Sequence, residues 1–189
     1  MIVVADSSPL HYLVLLEQAA LLQHFYGNVL VPEAVAAELR RTRAPATVRE
    51  WIASPPSWIE VVPVTTNELS SIAEELDLGE RAAIALATRF RADLILVDET
   101  EGRAEATRRG FRVTGTLGVL HAAAAEELID VGDVIDRLAA TNVYVDQELL
   151  SKAFGKWLWR IPCRTSRSHW REGFCAMGSA QPSEELRRS

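Results

Sequence analysis

The chain has 189 residues, the length of one ordinary domain, and it is 48% apolar and 24% charged. That balance can build a core without disulfide staples and excludes a disordered or fibrous chain. No apolar run of about 20 residues and no basic leader ahead of an apolar stretch is present, so the expected location is the cytoplasm, away from any membrane. Two cysteines, Cys163 and Cys175, are too few for a zinc site of their own or a secreted framework. The net charge of −6 excludes a generally basic coat for nucleic acid but leaves room for a basic patch beside an acidic metal site.

Taken in order, the body alternates strand-like and helix-like segments. Residues 1–5 form an apolar run ending at Asp6, and residues 9–25 carry Leu10, Leu13, Val14, Leu21 and Leu22 near helical spacing. Residues 28–31 read as a strand closed by Pro32, which suits the start of a helix over 33–41. A short helix is expected over 46–53, a strand over 58–64, and two helices over 66–76 and 79–91. Residues 94–97 form a strand running into Asp98; a helix over 100–109 ends at Gly110, a natural C-cap. A strand over 111–114, helices over 117–127 and 133–140, and a closing element over 146–154 complete the body. Strands separated by helices predict an α/β fold, a three-layer α/β/α sandwich with a central, mainly parallel sheet.

The body spans residues 1–154, and residues 155–189 have a different texture. This tail holds both cysteines, three of the five tryptophans, seven basic and three acidic residues, and no clean period after Arg160. It reads as a poorly ordered basic extension: an arm for RNA or a partner, or an irregular C-terminus.

In a doubly wound sheet, sites form outside the carboxyl ends of the strands. Asp6 and Asp98 both stand there, each after one of the most apolar strands. Either could instead be a helix cap. Glu38 sits among small and apolar neighbours and could belong to a solvated helix face; Glu80 opens an apolar helix and could be ordinary first-turn charge. The four histidines show no metal-ligand spacing and read as surface or core residues. Carboxylates gathered without histidine or cysteine suit Mg²⁺ or Mn²⁺, which prefer oxygen.

Four segments in order carry a resemblance: Asp6-Ser7-Ser8-Pro9-Leu10, Val31-Pro32-Glu33-Ala34-Val35 through Glu38-Leu39, Leu78-Gly79-Glu80 through Ala87, and Leu94-Ile95-Leu96-Val97-Asp98-Glu99. Their order and spacing resemble those of PIN domains over residues 1–154, and Val113 through Leu120 is similar to a branch near the VapC-type toxins. The resemblance implies a Mg²⁺- or Mn²⁺-dependent ribonuclease that hydrolyses RNA phosphodiesters, with Asp6, Glu38, Glu80 and Asp98 around the metal and Glu99 in reserve. It further implies the toxin of a toxin–antitoxin pair, a small antitoxin partner and a homodimer. Ser8 and Thr116 are candidates to hydrogen-bond the ligating carboxylates. Arg40, Arg41, Arg43 and Arg103 are candidates for RNA phosphates, with Arg108, Arg109 and Arg112 nearby in sequence. A housekeeping RNA-processing nuclease and an inactive PIN-like binding module are the other readings. A haloacid-dehalogenase-type phosphatase would want a second Asp where Ser8 stands.

Overall fold

The computed structural model describes residues 1–141, 152–155 and 157. The chain forms two compact units, Met1–Ala123 and Ala124–Ser189. The first holds five parallel strands: β1 (Val3–Ala5), β2 (Val29–Pro32), β3 (Ile59–Val62), β4 (Leu94–Leu96) and β5 (Arg112–Thr114), in the order β3-β2-β1-β4-β5. Every residue of β1 and β4 is buried, the pattern of strands covered on both faces. The edge strands β3 and β5 keep exposed or half-exposed positions. In register, Val3 lies beside Val29 and Leu94, and Ala5 beside Leu96.

The helices of this unit are α1 (Ser7–Leu15), α2 (Ala20–Tyr26), α3 (Glu33–Leu39), α4 (Ala46–Ala53), α5 (Thr66–Leu69), α6 (Leu78–Phe90) and α7 (Thr100–Arg108). They flank the sheet and give the three-layer α/β/α arrangement. Helix α6 packs on β1, β2 and β4. Its buried stretch is rich in alanine (Ala82, Ala83, Ala85 and Ala87), and such small side chains let a helix axis come close to a sheet. Ile84 and Leu86 join Val4, Val62, Ile95 and Val97 in one core cluster. Each such side chain, removed from water, stabilises by roughly 1.5–3 kcal/mol.

Two expected helices differ. Residues 9–25 are broken: Glu17 is left-handed at φ 60°, and its N–H and that of Gln18 return to the carbonyls of Val14 and Leu13 at 3.0 and 2.7 Å. This paired closure ends α1 without a glycine. The helix expected over 66–76 lasts only four residues, held by a capping box between Thr65 and Glu68.

Helix α8 (Thr116–Ala125) runs across the division between the units. In the second unit, α9 (Val131–Ala140) starts at the Asp130 cap and buries Val131, Val134, Ile135 and Leu138, one stripe at helical spacing. Residues 152–155 are helical. The expected closing element over 146–151, and the tail apart from residues 155 and 157, lie outside the described residues.

Candidate metal centre

Strand order fixes where the acids meet. β1 leads to β2 on one side and β4 leads to β5 on the other, so the carboxyl ends of β1 and β4 flank the switch point of the sheet. The chains stay paired past the strands: the Asp6 N–H donates to the Leu96 carbonyl at 2.9 Å. Asp6 and Asp98 therefore leave neighbouring strands at the same edge.

Asp6 occupies the N-cap position of α1 but makes no capping bond with its side chain. It is only 1% exposed, and its Oδ1 has no hydrogen-bond partner among the described residues. Gly79 shows what surrounds that oxygen. A methyl placed on Gly79 would stand 2.9 Å from Asp6 Oδ1, 3.2 Å from Glu38 Oε2 and 3.3 Å from Asp77 Oδ1. Three carboxylates thus converge on a spot kept open by the absence of a side chain. Burial pushes the Asp6 carboxyl well above its ordinary range, the Ser7 backbone N–H opposes this, and the charges of Glu99, Asp77 and Glu80 add to it.

Glu80 is buried, but its oxygens face backbone. Oε2 accepts from the Asp77 N–H at 3.2 Å and Oε1 from the Gly102 N–H at 3.1 Å, while the Glu80 N–H donates to Asp77 Oδ1 at 2.9 Å. This reciprocal capping box starts α6 and ties it to the first turn of α7. Burial raises the Glu80 carboxyl, and the Asp77 N–H opposes that. Asp98 is gripped from the start of α8: Oδ1 accepts from the Thr116 N–H at 2.8 Å and Oδ2 from the Thr116 hydroxyl at 2.5 Å. A side chain on Gly115 would collide with Asp98 Oδ1, so this approach needs glycine. Burial raises the Asp98 carboxyl against those two bonds. Glu99 is exposed and accepts from the Ser8 hydroxyl.

The basic candidates separate. Arg43 reaches Glu38 Oε1 at 3.3 Å, and Arg103 donates to the Val97 carbonyl at 2.8 Å beside Asp98. Arg40 leans on the Ile52 carbonyl at 3.4 Å, and Arg41 is exposed. Arg108 and Arg109 both bind Glu105. Arg112 pairs in register with Leu94, at the amino edge of the sheet and so away from the acids. Asp77 escapes the sequence reading because Asp77-x-x-Glu80 also spells a helix start. His11, a half-buried surface residue, lines a groove with Glu38.

A family model described as a PIN domain matches residues 2–157. The chain belongs to the PIN-domain family. PIN domains are generally nucleases, so the acidic edge of this PIN domain is the place to look for hydrolytic chemistry. A comparison with curated proteins finds no match. Among the described residues no helix is long and apolar enough to cross a membrane.

Proposed function

We propose that this PIN domain is a metal-dependent endoribonuclease, the toxin of a toxin–antitoxin pair. The observation that carries the reading is the Asp6 Oδ1 atom: buried, without a hydrogen-bond partner among the described residues, and facing the same spot as Glu38 and Asp77. A buried carboxylate oxygen without a donor is costly unless a cation offsets it. The donors are all oxygen, which suits Mg²⁺ or Mn²⁺. Among the described residues no three acidic, His or Cys side chains already stand as a closed ligand set. Mg²⁺ does not demand one, because it binds through one or two carboxylates and keeps its waters.

In this reading Asp6 is the central ligand, with Glu38 and Asp98 beside it and Asp77 and Glu99 within the same acidic edge. Glu80 and Asp98 are both held in place, Glu80 by the N–H groups of Asp77 and Gly102 and Asp98 by Thr116, and each carboxylate keeps lone pairs for a cation. Thr116 and Ser8 fix the orientation of Asp98 and Glu99 through the bonds given above. The cation, when bound, would make water a usable nucleophile and offset charge on the phosphate. Arg43 and Arg103 would steady the RNA backbone. The toxin reading carries with it a small antitoxin and a homodimer; a gene for a small antitoxin directly beside this one would discriminate it from a housekeeping nuclease.

The test is RNA cleavage with Mn²⁺ by wild type, Asp6→Asn and Asp98→Asn. Both substitutions nearly keep volume and remove charge, so activity falls about a hundredfold or more while circular dichroism is unchanged. Equal cleavage by the three proteins ends the assignment. The second reading, a PIN-like binding module, predicts no Mn²⁺ binding in calorimetry that Asp6→Asn abolishes.

A further inference from the structure

Next to the acidic edge lies a groove of about 270 Å³, bounded by Ser8, His11 and Tyr12 of α1, by Glu38 and Leu39 at the end of α3, and by Arg43 in the turn that follows. Three contacts tie it to the acids. It shares Glu38 with them; Ser8 donates to Glu99; and the Tyr12 hydroxyl feels the charges of Asp98 and Glu99. Its lining mixes two aromatic rings, the hydroxyls of Ser7 and Ser8, the Glu38 carboxylate and one guanidinium. His11 and Tyr12 meet edge to face, with centroids 5.1 Å apart. Both are half-buried, leaving part of each ring open to a ligand.

We propose that this groove seats the nucleotide flanking the scissile phosphate, with Tyr12 and His11 against its base and sugar and Arg43 on its phosphate. The inference rests on the nuclease reading and adds the residues that position the strand. A groove of about 270 Å³ has room for such a fragment of a longer ligand. Chemistry points the same way, because aromatic faces hold splayed bases and arginine holds phosphate. Arg43, 70% exposed, rests on Glu38 without substrate and can turn to a phosphate at little cost.

The experiment measures binding of a short fluorescein-labelled single-stranded RNA of mixed sequence to the full chain. The parent is Asp6→Asn, to prevent cleavage. His11→Ala, Tyr12→Leu and Arg43→Ala are added singly, with Arg91→Gly as a control that removes one charge at the amino edge of the sheet. The groove variants each weaken binding about fivefold or more, and Arg91→Gly does not. In the background that retains Asp6, His11→Ala and Tyr12→Leu leave Mn²⁺ affinity unchanged, which separates them from damage to the acids. Binding by His11→Ala and Tyr12→Leu equal to the parent overturns the groove, even if Arg43→Ala is weak. Should Tyr12→Leu fail to fold, His11→Gln decides in its place. A parent that binds no RNA overturns this inference together with the nuclease reading; a parent that binds, matched by its groove variants, overturns this inference alone.

Discussion

Gly79 carries more of the site than its size suggests. It lies in the first turn of α6, where alanine would favour the helix by about 1 kcal/mol. Yet a methyl there would press on Asp6 Oδ1 at 2.9 Å and on the oxygens of Glu38 and Asp77 just beyond. Gly79→Ala should therefore leave thermal stability within a few degrees while lowering Mn²⁺ affinity about tenfold, measured by circular dichroism and calorimetry. Unchanged affinity would mean that a cation sits elsewhere. At this scale the sequence is legible where chemistry and position coincide. Asp6 and Asp98 follow apolar strands, so their edge can be named in advance. Asp77 cannot, because an acid three residues before a glutamate is also how a helix begins, and here it does both. Nor does the spacing of the acids tell that Glu80 turns its oxygens to the Asp77 and Gly102 N–H groups.

Helix ends are the elements' least legible part, for a conformational reason. Gly110 announces its left-handed turn at φ 86°, but Glu17 and Arg91 adopt the same region at φ 60° and 51° with full side chains. Closing bonds to the preceding turn compensate, as from the Ala92 N–H to the Ala87 carbonyl at 2.9 Å. Such ends leave no mark in composition, which is why 9–25 reads as one helix. Within α7, Glu105 fixes a different feature. It is buried, and Arg109 and then Arg108 hold its carboxyl below the ordinary range; Arg109 also reaches the Ser71 carbonyl at 2.6 Å. A carboxyl lowered by folding stabilises above its unfolded value of about 4.3 and loses that contribution as pH falls through the folded value. Glu105→Gln should lower the melting temperature by about 2–4 °C at pH 7, reflecting roughly 1 kcal/mol. Melts repeated at falling pH should show the gap closing below about pH 4. A gap that persists in acid would assign Glu105 a packing role instead.

For the whole molecule, alternation of apolar strands and helices makes a parallel sheet readable, but the order of its strands depends on contacts between residues far apart in sequence. That order, β3-β2-β1-β4-β5, decides the electrostatics, because it sets the Asp6 and Asp98 strands side by side in a chain of net charge −6. Burial raises the carboxyls of Asp6, Asp98 and Glu80 together. A carboxyl raised by folding stabilises in its protonated form, fully below the unfolded value near 4, and that contribution is lost as pH rises through the folded value. Holding these carboxyls ionised therefore works against the fold, and a cation bound among them should restore what that costs. Without metal, Asp6→Asn should melt at least as high as wild type, since it removes a carboxyl whose ionised form burial disfavours. With Mn²⁺ at about a hundred times its dissociation constant, wild type should gain about 2.7 kcal/mol, a shift of about 5 °C or more. Asp6→Asn should gain far less. Scanning calorimetry of both proteins, with and without Mn²⁺, reads all four values. An equal Mn²⁺ shift in the two would place the stabilising cation away from Asp6, and the strand order would then have gathered these acids for some purpose other than holding it.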